Sequence, residues 1–228
     1  VDLEAAVEWA MIGIFFNQGE VCCAGSRIII EESIHDAFVK RFAERANAMT
    51  IGNPLDNPDM GPLVSEGQLR DVLGYVQKGI EEGATLVCGG ERYTEGECAK
   101  GYFMRPTIFD NCTPDMTIVR EEIFGPVVTI QTFQTEEEAI ALANDTIYGL
   151  AGGVFTHQLE RALRVVKEVR AGITWVNAFN PTYNEAPWGG YKMSGIGREL
   201  GVHGLEEYQE IKQVNINLTP GPAGWYEH

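Results

Sequence analysis

The chain has 228 residues, of which 44% are hydrophobic and 22% charged, which is the composition of a globular protein with one sizeable core. Its formal net charge of −16 repels phosphate backbones and argues against a nucleic-acid partner. There is no signal peptide and no apolar run long enough to span a membrane, so we expect a cytoplasmic protein without a membrane partner.

The five cysteines follow no metal-ligand spacing and include no C-x-x-C pair. Adjacent cysteines rarely bridge each other, because the peptide between them would be strained. The sequence therefore predicts free thiols in a reducing compartment and no metal site. The cysteines are Cys22, Cys23, Cys88, Cys98 and Cys112.

The first elements along the chain are predicted to be two helices separated by a strand. Asp2 is a plausible N-cap for an opening helix that ends near Asn17–Gly19. The β-branched run Arg27–Glu32 predicts a buried strand. Ser33 and Asp36 then resemble a capping box at the start of a second helix.

The middle of the chain alternates between further helices and strands. Ser65 and Gln68 form a second capping box before a helix that Gly83 stops, and Thr135 and Glu138 cap another helix. Helices are also predicted near 159–169 and 201–207. Strands are predicted within 84–90, 102–111, 125–133, 148–156, 172–177 and 212–218.

This alternation predicts an α/β fold with a mainly parallel, Rossmann-like sheet and helices on both faces. The final strand, "KQVNINL" at 212–218, lies beyond the last βα unit. An unpaired strand would leave an exposed edge, so we expect it to pair with another chain or sheet.

The stretch "FFNQGEVCCAGSR" (15–27) places two cysteines in a tight turn of small and polar residues. Free cysteines are more often buried apolar residues than nucleophiles. Small residues, however, let a substrate and backbone amides approach a sulfur closely. The stretch alone does not say which of Cys22 and Cys23 would react.

A cysteine hydrolase would need a histidine as general base, and the chain has four histidines. His35 and His157 lie at the starts of predicted surface helices, and His228 is the last residue. His203 has glycine nearby and is the best placed of the four. None of them stands out as a catalytic base.

Two further stretches have the composition of functional loops. "REEIFGPVV" (120–128) suggests a loop that presents a carboxylate, although a solvated acidic pair is the simpler interpretation on its own. "APWGGYKMSGIGRELG" (186–201) is rich in glycine. It does not match the dinucleotide fingerprint, because the third glycine is absent after Gly195 and Gly197.

Together and in this order, the three stretches resemble the second half of the aldehyde dehydrogenase superfamily, over 1 to about 217. The resemblance implies a catalytic domain at 1–205 and a C-terminal oligomerisation strand and tail at 206–228. It also implies oxidation of an aldehyde to a carboxylic acid with NAD or NADP, in a homo-oligomer, either a dimer or a tetramer.

The resemblance makes Cys22 the nucleophile and Cys23 its non-catalytic neighbour. Attack of the Cys22 thiolate on the aldehyde would give a thiohemiacetal, with the Cys22 backbone N–H contributing to the oxyanion hole. Hydride transfer to the nicotinamide would leave a thioester, which water hydrolyses. The family's water-activating glutamate, in an E-L-G-G-K motif, is not in this sequence. We therefore expect an incomplete enzyme that is inactive by itself.

The resemblance also assigns cofactor and substrate contacts. Glu122 matches the residue that binds the nicotinamide ribose, and Phe124 one that packs beside it. Phe16 and Trp188 match aromatic walls of the substrate tunnel. Trp188 resembles the residue found in members that oxidise betaine aldehyde, where aromatic rings hold a trimethylammonium group. A general aliphatic or ω-amino aldehyde, or a non-catalytic assembly fragment, remain the alternatives.

Overall fold

The structure, a computed structural model, describes residues 2–225. The helices are α1 (Leu3–Phe15), α2 (His35–Asn47), α3 (Glu66–Glu81), α4 (Thr117–Arg120), α5 (Glu136–Asn144), α6 (Leu159–Glu168) and α7 (Gly201–Glu206). The strands are β1 (Arg27–Glu31), β2 (Thr85–Cys88), β3 (Thr107–Asp110), β4 (Val127–Phe133), β5 (Tyr148–Gly149), β6 (Ala151–Val154), β7 (Ile173–Val176) and β8 (Tyr191–Lys192). None of the helices within 2–225 has the length and apolar character needed to cross a membrane.

The strands form three sheets, the largest in the order β1-β4-β3-β2. In it β1 and β3 run parallel to β4, whereas β2 runs antiparallel to β3. The two smaller sheets are the parallel pair β6-β7 and the antiparallel pair β5-β8. The α/β class is confirmed, but the sheet is mixed. No α-helix separates β2 from β3, and a parallel crossover normally needs one.

Helices cover both faces of the largest sheet, as the alternation of side chains along its strands requires. On β3, Ile108 faces the cluster formed by α1 and α2, while Phe109 faces the cluster formed by α3 and α4. On β4, Val128 and Val127 divide between the two clusters in the same way. All four side chains are fully buried, so each face has its own hydrophobic core.

A tight 3₁₀ turn at Phe16–Gly19 follows α1 and determines where the next segment runs. Asn17, Gln18 and Gly19 all have positive φ angles, of 49°, 47° and 75°. Gly19 is buried, and a β-carbon there would overlap the carbonyl oxygen of Gly125, in the loop before β4. The turn therefore packs backbone against backbone on that loop, and only glycine fits.

Three of the predicted helix starts are capped by the side chains that the sequence predicts. The Ser65 hydroxyl accepts a hydrogen bond from the Gln68 N–H at 3.1 Å, as the capping box predicts. The Thr135 hydroxyl likewise accepts from the Glu138 N–H at 3.2 Å. The side chain of Asp2 also caps α1 as predicted.

The predicted cap at Ser33 is wrong. Its hydroxyl donates to the Glu31 carboxylate at 3.0 Å and caps no helix, because Ser33 lies inside a 3₁₀ turn, Glu32–Ile34, and α2 begins only at His35. Both His35 ring nitrogens lie 2.8 Å from a carboxylate, Nδ1 from Asp36 and Nε2 from Asp110. Asp110 ends β3, so this contact joins the start of α2 to the sheet.

The predicted strand at 212–218 is not formed within the described part of the chain, where 209–225 contain neither helix nor strand. Val214, Ile216 and Leu218 alternate along it and are 70%, 75% and 86% exposed. A strand needs a neighbour that accepts its backbone hydrogen bonds, and no described strand lies beside this segment. Residues 226–228 of the predicted tail lie outside the described residues.

We predict that His35 makes stability depend on pH. Burial opposes its protonation, but the hydrogen bonds and charges of Asp110 and Asp36 outweigh burial and raise the His35 pKa. The resulting stability is present below the unfolded pKa of about 6.5 and is lost as pH rises through the raised folded pKa. Urea unfolding should therefore show that His35→Gln lowers the free energy of unfolding more at pH 6 than at pH 9.

The control for this experiment is His157→Gln, at an exposed position before α6. His157→Gln should lower the free energy of unfolding only slightly, and by the same amount at both pH values. An equal cost of His35→Gln at pH 6 and pH 9 would show that the two carboxylates do not hold a protonated imidazole.

We predict that Gly19→Ala lowers the free energy of unfolding by at least about 2 kcal/mol, because φ is positive and the new methyl would meet Gly125 backbone. Gly74→Ala is the matched control, since Gly74 is an exposed position inside α3 where an added methyl would have no neighbour within 4 Å. It should stabilise by up to about 1 kcal/mol. Chemical denaturation measures both, and an equal effect of the two substitutions would contradict the packing described.

Candidate active site

The two adjacent cysteines lie in a turn between the 3₁₀ turn and β1. The Ala24 N–H donates to the Val21 carbonyl at 3.0 Å and closes the turn. The Gly25 N–H donates to the Gly13 carbonyl at 2.8 Å and ties the turn to α1. We call Glu20–Gly25 the cysteine turn.

The cysteine turn places its two thiols in different environments. Cys22 is exposed, whereas Cys23 is buried and its Sγ lies 3.4 Å from Asn180 Oδ1, where it donates a hydrogen bond. Burial, with a smaller contribution from Cys22, raises the pKa of Cys23 to about 11. Cys23 is therefore a protonated thiol at neutral pH, and only Cys22 is open to an incoming molecule.

The Cys22 backbone N–H makes no hydrogen bond within residues 2–225. A free backbone N–H beside an exposed sulfur is the arrangement that stabilises an oxyanion formed by attack of that sulfur. The N–H and the sulfur belong to the same residue, so the conformation of the cysteine turn positions both of them.

The acidic loop at 120–126 lies at the same edge of the sheet as the cysteine turn. Strands β1 and β4 are parallel, with Arg27 opposite Thr129, and the two segments precede these strands. Glu122 is exposed, and its carboxylate has no hydrogen-bond or ion-pair partner in the described part of the chain. Phe124 has a φ of +56° and is 39% exposed.

These residues fit the nicotinamide ribose that the sequence suggests. A free carboxylate accepts hydrogen bonds from two neighbouring hydroxyls, and a partly exposed aromatic ring gives an apolar surface beside them. Two side chains of α3 also hydrogen-bond to this loop. Gln68 on α3 donates to the Phe124 carbonyl at 2.7 Å, and the Tyr75 hydroxyl donates to Glu121 at 2.8 Å.

An aromatic cluster links the cysteine turn to the loop after β7. The Phe179 ring packs against Gly13 and Gly25, where β-carbons would lie 3.3 and 3.4 Å from it. The ring centroid of Phe179 is 4.8 Å from that of Trp175, and the ring centroids of Trp175 and Trp188 are 6.1 Å apart. Trp188 is thereby connected to the cysteine turn through two rings.

Trp188 also lines a shallow cavity. The other lining residues are Ile173, Thr174, Trp175, Pro181, Thr182, Tyr183, Ala186 and Pro187. Phe16 is not among them; it lies at the start of the 3₁₀ turn and is 63% exposed. The structure thus brings Trp188 into an aromatic group and leaves Phe16 as an open ring next to the cysteine turn.

The three histidines in the described part of the chain do not supply a base for a cysteine hydrolase. His35 contacts Asp36 and Asp110, and His203 contacts Glu206 at 3.1 Å. Neither these nor His157 hydrogen-bonds to Cys22, and His228 lies outside the described residues. Within 2–225 there is also no group of three or more side chains suited to hold a metal ion.

Sequence reasoning misses two residues that the site depends on. Asn180 has a φ of +73°, accepts from Cys23 and donates to the Ile12 carbonyl at 3.4 Å. It lies in "AFNPTYNEAP", a stretch with no local signal beyond turn residues. Gln68 is predicted only as a capping residue, but its contact with Phe124 joins positions 56 residues apart.

Comparison with known proteins places the chain in one family. Residues 1–214 match the model of the aldehyde dehydrogenase family. The betaine aldehyde dehydrogenase of Bacillus subtilis is 50% identical over 226 residues, which are 99% of this chain and 46% of that protein. The peroxisomal aminoaldehyde dehydrogenase 2 of Pisum sativum is 47% identical over all 228 residues and 45% of its own length.

The solved structure of betaine aldehyde dehydrogenase from Staphylococcus aureus in complex with NAD+ is 45% identical and superposes with a TM-score of 0.96. The match covers 100% of this chain and 45% of that one. The chain thus spans about half the length of the relatives it matches. The family model, the sequence identity and the superposition agree, and the chain belongs to the aldehyde dehydrogenase family.

Proposed function

We propose that these residues form the nucleophile-bearing part of an aldehyde dehydrogenase that oxidises betaine aldehyde or a closely similar amino aldehyde. The observation that carries the proposal is the exposed Cys22 with its free N–H, at the same sheet edge as the unpaired Glu122. Membership of the family and relatives of about 50% identity support it.

In the proposed reaction the Cys22 sulfur, as a thiolate, forms a bond to the aldehyde carbon. The carbonyl π electrons move to oxygen, and the Cys22 N–H stabilises the resulting negative charge. After oxidation Cys22 carries the acyl group as a thioester, and water releases the acid. Cys23 does not compete, because burial keeps it protonated.

A nicotinamide cofactor supplies the hydride acceptor for this oxidation when it is bound. We assign the Glu122 carboxylate to the ribose hydroxyls and the Phe124 ring to the apolar side of the same sugar. NAD+ rather than NADP+ is the proposed cofactor, since the Staphylococcus aureus relative is a complex with NAD+.

The proposed substrate follows from the aromatic cluster. Trp188 has a neighbouring ring in Trp175, which in turn packs against Phe179, and it borders an open cavity. A desolvated trimethylammonium group over an indole gains about 2 kcal/mol from cation–π attraction. We propose that Trp188 and Phe16 are walls of the substrate channel, with Trp188 on the side of the cationic group.

The remaining expectations from the sequence stay predictions. These are the division at 205/206, a dimer or tetramer formed through 212–218, a cytoplasmic location, and no turnover of aldehyde by these 228 residues alone. The exposed, alternating apolar side chains of 212–218 support the proposed pairing with another chain.

We predict that iodoacetamide modifies Cys22 at least about tenfold faster than Cys23 at pH 8, because the thiolate of Cys23 is scarce and buried. Peptide mapping by mass spectrometry measures the two rates. Labelling in urea should make all five cysteines similar, and Cys22→Ser should leave the slow rate at Cys23 unchanged. Uniform slow labelling of the folded chain would instead favour a non-catalytic assembly module.

We predict that Trp188→Ala raises KM for betaine aldehyde by about thirtyfold, the loss expected for one cation–π contact of about 2 kcal/mol. The protein as its gene encodes it is assayed for NADH production. 3,3-Dimethylbutanal is the neutral substrate of the same shape, and its KM should change much less. Trp188→Phe should keep most of the preference. If Trp188→Ala affects both aldehydes equally, the substrate is not held by its charge.

A further inference from the structure

Helix α3 and the segment just before it contact both halves of the candidate site. Through its first turn, the Gln68 side chain reaches the acidic loop, and further along Tyr75 reaches Glu121. Just before the helix, the Val64 N–H donates to the Glu20 carboxylate of the cysteine turn at 3.1 Å. One rigid element therefore holds the segment before β1 and the segment before β4.

We propose that Gln68 is a positioning residue that fixes the backbone of the acidic loop so that Glu122 and Phe124 are held ready for the cofactor. This inference rests on the proposed function. Gln68 acts through the loop backbone and is not itself placed in contact with the reacting atoms.

The geometry of the Gln68 amide supports this role. Its Nε2 lies 2.7 Å from the Phe124 carbonyl oxygen and 3.4 Å from that of Ile123. An amide NH₂ has two N–H donors, so one side chain can bind two successive carbonyls. These two carbonyls flank the bonds that decide where the Phe124 ring points.

Phe124 needs such support because of its backbone conformation. Its φ of +56° is left-handed, which is unfavourable for a residue with a β-carbon. The following residue cannot relax freely either, since a β-carbon at Gly125 would overlap Val72 of α3. Gln68 and Val72 of α3 therefore both lie against the loop backbone at 123–125 and restrict its movement.

Gln68 does not play the role that a glutamine at its position has in a capping box. In a capping box the glutamine reaches back to the N–H of the capping residue, here Ser65. The Ser65 hydroxyl keeps its half of the box, but the Gln68 amide hydrogen-bonds to the acidic loop instead. The helix start therefore lacks the hydrogen bond from the Gln68 side chain to Ser65. In exchange, two carbonyl oxygens of the acidic loop accept hydrogen bonds from a residue that is distant in sequence.

The test compares Gln68→Met and Gln68→Glu, which keep the length of the side chain but have no N–H donor. Gln77→Met is the matched control, a glutamine on the same helix that bonds only to Glu81 within the described residues. In the protein as its gene encodes it, both Gln68 variants should raise KM for NAD+ about fivefold, the loss expected for one hydrogen bond. KM for the aldehyde should stay unchanged, and Gln77→Met should match the wild type.

Hydrogen–deuterium exchange gives a readout that does not need activity. The Gln68 variants should exchange faster in the peptide covering 121–127, while Gln77→Met should not. A wild type that makes no NADH would overturn the proposed function, and exchange would still decide whether Gln68 holds the loop. An active wild type with unchanged exchange or unchanged KM for NAD+ in the Gln68 variants would overturn the inference.

Discussion

The contact between Gly19 and the Gly125 carbonyl is the constraint on which the rest of the site depends. It joins two segments 106 positions apart without any side chain, so neither can move without the other. A methyl group at Gly19 would separate them, and the left-handed φ of the turn requires glycine as well. The distance between the cysteine turn and the acidic loop is thus determined by backbone packing, which varies less than contacts between flexible side chains.

The two parallel strands extend this constraint into the core. Arg27 is opposite Thr129, and the Thr129 N–H donates to the Ser26 carbonyl at 3.0 Å, directly after the cysteine turn. Helices α1 and α3 pack on opposite faces of β4. Helix α1 is hydrogen-bonded to the cysteine turn through Gly13 and Gly25, and α3 to the acidic loop through Gln68. The site therefore lies where both hydrophobic cores end, and its precision depends on the stability of both.

The sequence predicts the features that depend on local signals. The α/β class, most helices and strands and the caps at Ser65 and Thr135 follow from periodicity and hydrogen-bonding residue types. The Ser33 cap does not form because Ser33 lies inside a 3₁₀ turn and the helix begins two residues later, at His35. Gln68 and Asn180 escape prediction because their partners are distant in sequence. The strand at 212–218 is not formed because no strand of the described chain lies beside it.

The two cysteines show why such distant contacts matter for chemistry. Cys22 and Cys23 are the same residue type in adjacent positions, and nothing within the turn distinguishes them. The difference comes from burial, since Cys23 is buried and donates to Asn180, in the loop after β7, whereas Cys22 is exposed. Because Asn180 also donates to the Ile12 carbonyl, the loop that leads to Trp188 is tied both to the cysteine turn and to α1. The burial that raises the pKa of Cys23 therefore accompanies a contact between the cysteine turn and the loop that leads to the proposed substrate-binding ring.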